Sequence, residues 1–353
     1  MKKARPILNI LLVSLLAAGA VILVVYLASR ESGRGEPEDT FHSPTVYAMD
    51  TVLDITIQGR SERQAKADAD AAVALARKIE DETSQFKPGS DVARINDQAG
   101  AGPVKVSDDT LLVVRTALEY SGRMNGAFDV TIAPVVRLWG FYDQKFRVPS
   151  DEEVARTPPL VGYGKVIVDE GNGTVMLAEK GMALDLGGIA KGYAVGRMYE
   201  LLRRRGVEHA LINFGGAVGA LGTRSDGKDW VIGIKDPRGS GGDLAGELEI
   251  KDRFVSSSGD YERYFVKDGM RYFHIFDPAT GRNPSGVVST TVVGPDAMLT
   301  DTLTKILVMG RAAGLEFMKT LPEYQALMID SAGKTYTTPN MKSMYRIRIE
   351  EKI

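Results

Sequence analysis

The sequence predicts an α+β fold, because segments with strand and helix periodicity are intermixed without the strict alternation of a parallel α/β protein. The chain has 353 residues, of which 44% are hydrophobic and 25% are charged. This composition is typical of a globular body with a sizeable core, and no internal repeat is visible. We therefore expect mixed or antiparallel sheets with packed helices.

Charge and cysteine content exclude several classes of function. The formal net charge is −2 and the basic and acidic residues are mixed along the chain, so we expect no nucleic-acid partner. The chain contains no cysteine, which excludes disulfides, thiolate metal sites and cysteine nucleophiles.

The N-terminus predicts a membrane anchor. Lys2, Lys3 and Arg5 precede an uncharged run over residues 7–27. A spanning helix needs roughly 20 apolar residues and a signal-peptide core about 7–15, so the run is long for a cleaved signal. Cleavage near Ala28 is the alternative. The basic start places the N-terminus inside and the body outside, on the periplasmic side of the cell inner membrane. The expected parts are an anchor or signal (1–27), a polar tether (28–44) and a body (45–353).

Periodicity and turn residues predict the elements of the body in chain order. Residues 51–59 alternate like a strand, and residues 62–83 carry the apolar stripe of a helix. A Pro-Gly pair indicates a loop over 84–96, in which Ser90 is a candidate helix cap. The other predicted elements are helices from Ser107 to about Met124 and over 189–205, 297–309 and 311–320, a hairpin over 165–178, and strands over 209–216, 229–234, 246–250, 254–259, 271–277, 289–294 and 325–330.

Four stretches could carry chemistry, and "LDLGGIAKG" (184–192) is the first. Adjacent glycines let the backbone approach a ligand closely, and the N-terminus of the following helix offers free amide groups to a phosphate. Lys191 could reach that phosphate, while Asp185, at a strand end, could bind a ribose hydroxyl or a metal. The alternative is a tight turn with a solvated lysine, because the spacing matches neither common nucleotide-binding motif.

Two further stretches combine aromatic and titratable side chains. In "GAFDVTIAP" (126–134), a turn between a helix and a strand, Phe128 and Asp129 could bring an aromatic face and a carboxylate to one cleft. The alternative is a core phenylalanine beside a turn-capping aspartate. In "RYFHIFDPATGRNP" (271–284), His274 is the histidine best suited to proton transfer. The alternative is a structural role, which is the commoner one for a lone histidine in a strand.

The fourth stretch, "GPDAMLTDTLTK" (294–305), offers oxygen ligands of the kind that suit Mg²⁺. Asp296 and Asp301 flank the predicted start of a helix, with three threonines nearby. The alternative is ordinary capping of that helix by acidic residues.

Together these stretches resemble the FAD:protein FMN transferases, the ApbE family, from about Tyr47 to about Met318. Any single match is unspecific, whereas six in this order with family-like spacing are specific. The stretches that carry the resemblance are "MDT" (49–51), "SQFKPGSDVARIN" (84–96), "GAFDVTIAPVVRLWGF" (126–141), "LDLGGIAKGYAV" (184–195), "INFGGAV" (212–218) and "SSGDYERYF…HIFDPATGRNP" (257–284).

The resemblance implies an enzyme that uses FAD as a substrate, together with Mg²⁺. Such an enzyme splits the pyrophosphate, releases AMP and joins FMN through a phosphoester to a threonine or serine of an acceptor protein. The implied acceptors carry a Ser/Thr-Gly-Ala-Thr-like motif in subunits of membrane-bound redox complexes.

The resemblance also implies the residues of the site. His274 would be the catalytic base, and Lys191 would neutralise charge on the pyrophosphate. The residues implied to line the FAD site are Met49, Phe86, Ala127, Phe128, Asp129, Asp185, Lys191 and Ser258.

The implied metal ligands are the carbonyl of Gly188 and the side chain of Asp301. Family members usually supply a third ligand, a threonine at the position that Lys305 occupies here. Thr304 or Asp296 would take that place, or the Lys305 ammonium would itself neutralise phosphate charge.

Two other functions are compatible with the sequence. One is a flavin-binding module without transfer activity, which the lysine at position 305 favours. The other is a metal-dependent FAD pyrophosphatase, which would release FMN and AMP without an acceptor.

Overall fold

The computed structural model describes residues 37–240 and 242–350. The predicted anchor and the first part of the predicted tether lie outside these residues. Within the described part of the chain, no helix is long and apolar enough to cross a membrane.

The strands are β1 (Phe41–His42), β2 (Val46–Ala48), β3 (Thr51–Gln58), β4 (Val104–Lys105), β5 (Val166–Asp169), β6 (Thr174–Leu177), β7 (His209–Phe214), β8 (Ala217–Leu221), β9 (Trp230–Lys235), β10 (Leu244–Ile250), β11 (Arg253–Gly259), β12 (Tyr264–Lys267), β13 (Met270–Phe273), β14 (Val287–Gly294), β15 (Gln325–Asp330), β16 (Thr335–Thr337) and β17 (Arg346–Ile349). The helices are α1 (Glu62–Thr83), α2 (Asp91–Asp97), α3 (Asp108–Arg123), α4 (Ala133–Leu138), α5 (Asp151–Ala155), α6 (Ala190–Arg204), α7 (Ala297–Leu303), α8 (Ile306–Met309), α9 (Arg311–Met318) and α10 (Met341–Met344).

A nine-stranded antiparallel sheet forms the centre of the body. Its strands follow the order β1-β3-β7-β8-β11-β14-β15-β16, and β2 pairs with β3 beside this path. Strand β3 pairs with β7 from Leu53 opposite Phe214 to Gln58 opposite His209. The sheet therefore joins the first long strand of the body to its middle and places distant motifs on one framework.

The sheet is buried on both faces, because successive side chains of a strand point to opposite sides. In β7, Ala210, Ile212 and Phe214 belong to the larger core, which also contains residues of α1 and α6. Leu211 belongs to a second core, formed against the three-stranded sheet β9-β10-β17. The strand is consequently buried from Ala210 to Phe214 rather than on alternate residues.

A third, smaller core lies around the short helix α4 and includes Trp139, Phe141 and Phe276. The indole Nε1 of Trp139 donates a 3.0 Å hydrogen bond to the carbonyl of Gly281. This bond fixes the segment after β13 to the segment after α3. The candidate site opens between these two segments and the start of α6.

The predicted fold class is confirmed, with antiparallel sheets and packed helices. Helix α1 spans the predicted residues 62–83. The loop predicted over 84–96 is wrong in part, because it contains α2. The predicted cap is present, since Ser90 Oγ accepts the backbone N–H of Ala93 at 3.0 Å. A helix of seven residues gives too few turns for a clear apolar period.

Two other predicted elements are interrupted. The strand predicted over 271–277 ends at Phe273, because the side chain of Asn283 takes over the backbone partners. Its amide group donates to the carbonyls of Phe273 and Ile275 at 2.6 and 2.7 Å. The helix predicted over 297–309 breaks between α7 and α8, where the Thr304 hydroxyl donates to the carbonyl of Asp301 at 2.6 Å.

Candidate active site

The predicted motifs meet in one cleft between the start of α6, the segment before α4, the segment after β13 and the break between α7 and α8. A larger groove of about 800 Å³ near Glu249 and Tyr345 contains none of the motif residues. The residues that line the cleft are Ala127, Phe128, Asp129, Ile132, Val136, Phe141, Tyr142, Asp185, Gly187, Gly188, Lys191, Ser258, Arg263, His274, Ile275, Phe276, Pro278, Lys305 and Val308.

The loop around Asp185 is fixed by its neighbours. Asn96 at the end of α2 pairs with the backbone of Leu184, accepting its N–H at 2.6 Å and donating to its carbonyl at 3.0 Å. The N–H of Asp185 donates to the carbonyl of Val130 at 2.7 Å, and Asp185 Oδ1 accepts the N–H of Gly187 at 2.7 Å. Asp185 lies in an irregular segment rather than at the predicted strand end, and these bonds hold it in place.

The second carboxylate oxygen of Asp185 binds Tyr142. Tyr142 Oη donates a 2.6 Å hydrogen bond to Asp185 Oδ2. Burial, and then the charge of Asp185, hold the pKa of Tyr142 well above its usual range, so the hydroxyl is a permanent donor at neutral pH. The ring of Phe86 packs edge-on against Tyr142 at 5.2 Å between centroids. Phe86 therefore reaches the cleft through Tyr142 rather than lining it.

The carboxylate of Asp129 is engaged by its own segment. Its Oδ1 accepts the N–H and the hydroxyl of Thr131 at 2.8 and 2.6 Å, and its Oδ2 accepts the N–H of Tyr163 at 2.8 Å. Burial raises the pKa of Asp129 against the lowering effect of these bonds. Phe128 forms part of the cleft wall. Its ring packs against Gly188, where an added Cβ would lie only 3.2 Å from the ring. The segment leads into α4, not into the predicted strand.

Asp301 is buried where α6 and α7 cross. Its Oδ2 accepts the N–H of Gly192 at 3.0 Å and lies 3.9 Å from Lys191 Nζ. A Cβ at Gly192 would lie 2.3 Å from the carbonyl oxygen of Ala297, so the glycine permits the close crossing. Burial alone would raise the pKa of Asp301, but the ammonium groups of Lys191 and Lys305 and the Gly192 N–H outweigh it, and the pKa is lowered.

The ammonium of Lys305 lies among oxygens of Asp301, Thr304 and Ser258. The family resemblance implies the first two residues as metal ligands and Ser258 as part of the FAD site. Lys305 Nζ is 2.9 Å from Thr304 Oγ1 and 3.2 Å from Ser258 Oγ. It is 3.3 Å from the carbonyl oxygen of Asp301 and 3.5 Å from Asp301 Oδ1. Burial lowers the pKa of Lys305, and the charge of Asp301 opposes that effect.

The two alternative third ligands are engaged in local structure. Thr304 is fully buried, and its hydroxyl donates to the carbonyl of Asp301. Asp296 Oδ1 accepts the N–H of Leu299 at 2.8 Å, so Asp296 caps α7. Among the described residues, no group of three or more histidine and acidic side chains is arranged to hold a metal ion.

His274 lines the cleft one residue beyond β13. The backbone N–H of His274 donates to the carbonyl of Arg263 at 3.1 Å, and the ring nitrogen Nδ1 lies 3.4 Å from the same oxygen. Burial, followed by the charges of Arg263, Lys305 and Lys191, lowers the pKa of His274 well below its usual range. The imidazole is therefore neutral near pH 7 and can accept a proton. Lys191 Nζ donates to the carbonyl of Gly187 at 2.8 Å.

Most residues predicted for the site line the cleft, but Met49, Phe86, Asp301 and Thr304 do not. Asp301 and Thr304 are buried and contact the cleft-lining Lys305. Met49 donates its N–H to Glu80 Oε1 at 2.9 Å, and Phe86 contacts Tyr142 as described. Sequence reasoning missed Tyr142 and Arg263. Tyr142 directly follows the stretch 126–141 that carries the family resemblance. Its place next to Phe141 was therefore a signal that the sequence offered. Arg263 lies inside the stretch 257–284 that carries the family resemblance, which was the available signal for it. The roles of all these residues stay predictions.

The model of the ApbE family matches residues 49–328, and this span includes every residue that lines the cleft. The chain belongs to the ApbE family. Similar curated proteins are named FAD:protein FMN transferases. The one from Vibrio cholerae is 34% identical over 76% of this chain and 81% of its own length. The one from Klebsiella pneumoniae is 35% identical over 72% and 79%.

Solved structures of ApbE proteins share the fold. The ApbE protein of Thermotoga maritima superposes with a TM-score of 0.80 at 32% identity, over 87% of this chain and 99% of that chain. The flavin transferase ApbE of Vibrio cholerae gives a TM-score of 0.78 at 29% identity, with the same coverage of both chains. The family resemblance inferred from the sequence is therefore confirmed.

Proposed function

We propose that this ApbE-family chain transfers FMN from FAD to a hydroxyl group of an acceptor protein and releases AMP. The observation that carries the proposal is a convergence in one cleft. Phe128, Asp185, His274, Lys191 and Lys305 come from separate segments of the chain and meet there. The names of the similar curated proteins support the same reaction.

The reaction exchanges a phosphoanhydride bond of FAD for a phosphoester bond to the acceptor. A threonine or serine oxygen of the acceptor bonds to the FMN-side phosphorus of FAD. The bond from that phosphorus to the bridging oxygen breaks, and the bridging oxygen leaves with AMP and carries the electron pair. The proton of the attacking hydroxyl passes to a base. Catalysis of such a transfer consists mostly of positioning and of neutralising charge on the phosphates.

His274 is the proposed base, because it is the histidine that lines the cleft and its imidazole is neutral near pH 7. The carbonyl of Arg263 can only accept a hydrogen bond, so an Nδ1–H tautomer satisfies that contact. The other ring nitrogen, Nε2, is then available for the proton. General-base help of this kind is worth typically about 10²–10⁴-fold.

Lys191 and the Asp185 loop are the proposed pyrophosphate-side residues. The Lys191 ammonium is held by the carbonyl of Gly187 at the start of α6, where helix amide groups favour a negative charge. Tyr142 holds the Asp185 carboxylate in one orientation. Asp185 is the proposed acceptor for a hydroxyl group of FAD, while Phe128 supplies apolar wall.

Magnesium dependence is the part of the family resemblance that the residues fit poorly. Mg²⁺, where bound, would neutralise pyrophosphate charge, and the carbonyl of Gly188 and the carboxylate of Asp301 would hold it. The Lys305 ammonium, however, lies between 2.9 and 3.5 Å from oxygens of Asp301, Ser258 and Thr304. These oxygens already accept hydrogen bonds from the Lys305 ammonium. None of the steps above uses a metal.

Location and acceptor are further parts of the proposal. The basic start and the uncharged run over 7–27 support an uncleaved anchor that holds the body at the periplasmic face of the inner membrane. Acceptors with a Ser/Thr-Gly-Ala-Thr-like motif in membrane redox complexes would lie at the same face. Mass spectrometry of the native protein should find residues 1–27 retained in the membrane fraction. A soluble mature protein that begins near Ser29 would contradict the anchor.

The experiment that tests the activity uses the full-length chain, FAD and an acceptor peptide with the motif. A peptide whose hydroxyl residues are replaced by alanine is the control. We expect AMP and FMN-labelled peptide in equal amounts, and no label on the control. AMP with free FMN and no label would indicate a pyrophosphatase. FAD binding without AMP would indicate a binding module.

A further inference from the structure

Lys305 donates into a cage of oxygen atoms. Its Nζ lies 2.9 Å from Thr304 Oγ1, 3.2 Å from Ser258 Oγ, and 3.3 and 3.5 Å from two oxygens of Asp301. The side chain is 14% exposed, and the residue lines the cleft. The ammonium is therefore held at one point of the cleft wall, surrounded by the kind of ligand that a hard cation prefers.

The backbone builds this cage at the break between α7 and α8. Both the N–H and the hydroxyl of Thr304 donate to the carbonyl of Asp301, at 3.2 and 2.6 Å. This tight turn carries Lys305 back over Asp301. On the other side, a Cβ at Gly188 would lie 3.2 Å from Lys305 Cε. The glycine thus lets the Asp185 loop pack directly on the lysine stem.

A magnesium ion and this ammonium would compete for the carboxylate of Asp301 and the hydroxyl of Thr304. Mg²⁺ demands oxygen ligands at about 2.0–2.1 Å in an octahedral arrangement. The ammonium takes oxygens of Asp301, Ser258 and Thr304 at hydrogen-bond distances, and two cations in one small space repel. Lys191, Lys305 and Asp301 together carry two positive charges and one negative charge. The corner of the cleft around Asp301 therefore carries a net positive charge before any ion binds.

We infer that the Lys305 ammonium is the built-in cation of this site and takes the position and the charge-neutralising role of a divalent metal on the FAD pyrophosphate. This inference rests on the proposed function and makes transfer independent of divalent metal ions. Lys305 forms and breaks no covalent bond. It holds phosphate oxygens, and its attraction strengthens as charge develops on the oxygen that leaves with AMP.

The test compares the full-length wild-type chain with Lys305→Thr and Lys305→Met. Lys319→Thr is the matched control, because Lys319 pairs with Glu316 on the surface. One measurement is the rate of acceptor labelling in EDTA and in Mg²⁺. The other is binding of Mn²⁺ in the presence of FAD, followed by electron paramagnetic resonance, which needs no turnover.

The wild type and Lys319→Thr should label the acceptor at the same rate in EDTA and in Mg²⁺ and should bind no Mn²⁺ at the site. Lys305→Thr should lose at least about tenfold in EDTA, the scale of a lost charged hydrogen bond. It should recover with Mg²⁺ and should bind Mn²⁺. Lys305→Met should lose rate in both conditions and bind none.

Two results would overturn the inference. One is a wild type that EDTA inactivates and Mg²⁺ restores, and the other is Mn²⁺ bound by the wild type at this site. Both are read on the wild-type chain, so misfolding of a variant does not remove them. A wild type that makes neither AMP nor labelled acceptor in either condition contradicts the proposed transferase, and the Mn²⁺ comparison then still tests the position of the cation.

Discussion

Tyr142 and Asp185 are joined by a 2.6 Å hydrogen bond from the tyrosine hydroxyl to Asp185 Oδ2. The other carboxylate oxygen accepts the N–H of Gly187. Both oxygens are therefore positioned, one by a side chain and one by the backbone, and the carboxylate meets a ligand in a single orientation.

Tyr142→Phe should weaken FAD binding about tenfold while the fold persists. The change removes only the hydroxyl, and a hydrogen bond to a charged group contributes about 1.5–3 kcal/mol. Fluorescence titration of FAD measures the affinity. Tyr199→Phe is the matched control, because Tyr199 donates to Asp252 away from the cleft. Equal affinities of the two variants would show that Asp185 does not depend on Tyr142.

His274 should give the transfer rate an unusual pH profile. The base must be neutral, and burial with the charges of Arg263, Lys305 and Lys191 places its pKa below the usual value. The rate should therefore stay level as pH falls through about 6.5, where a free histidine titrates, and should decline only at lower pH. A midpoint at or above 6.5 in the pH–rate curve would contradict this assignment.

His274→Ala should lower the transfer rate about 10²-fold or more while FAD still binds, and its residual rate should lack the acidic decline. His209→Ala is the control, because His209 begins β7 outside the cleft lining and its ring is hydrogen-bonded to the carbonyl of Thr223. It should keep both the rate and the profile. A loss of less than about threefold in His274→Ala would make His274 structural.

Asp129→Ala should lower the free energy of unfolding by about 2–3 kcal/mol. The change leaves the backbone N–H groups of Thr131 and Tyr163 without their acceptor. FAD affinity should fall with stability, since these bonds shape the wall that carries Phe128. Urea denaturation measures the loss, and Asp143→Ala, at an exposed aspartate, should be near neutral. Weaker FAD binding at unchanged stability would instead indicate direct contact of Asp129 with FAD.

Gly192→Ala should destabilise the protein by about 1–3 kcal/mol, because the added methyl overlaps α7 and overpacking costs this much. It should also displace Asp301 and so lower the transfer rate. Gly196→Ala, one turn further along α6, meets Ala297 Cβ at an ordinary 3.4 Å and should be neutral or stabilising. Similar denaturation midpoints for the two variants would show that α6 and α7 can separate without loss.

Long local patterns were readable from the sequence, and contacts between distant residues were not. Helix α1 has enough turns for its apolar stripe to be clear, whereas α2 is too short, although its cap at Ser90 was visible. Strand β13 ends early because Asn283, further along the chain, occupies its backbone partners. Such a contact leaves no periodic pattern in the local sequence.

The same limit applies within the site. The motif residues Phe128, Asp185, Lys191 and His274 could be found from residue type and order. The bond from Tyr142 to Asp185 spans 43 positions, and only the folded chain shows it. For Lys305, the family resemblance left open whether Thr304, Asp296 or the Lys305 ammonium replaces the third ligand. Only the turn at Thr304 shows that the ammonium contacts Asp301, Ser258 and Thr304.

Every lysine codon becomes a threonine codon through one base change. The cage around Lys305 is made of Ser258, Thr304 and Asp301, and none of these residues has to be replaced for a threonine to stand at position 305. A site that uses a lysine ammonium and a site that uses a bound metal ion would thus differ by one base change in the same fold. The supply of free divalent metal, rather than the flavin chemistry, would then determine which version a lineage keeps.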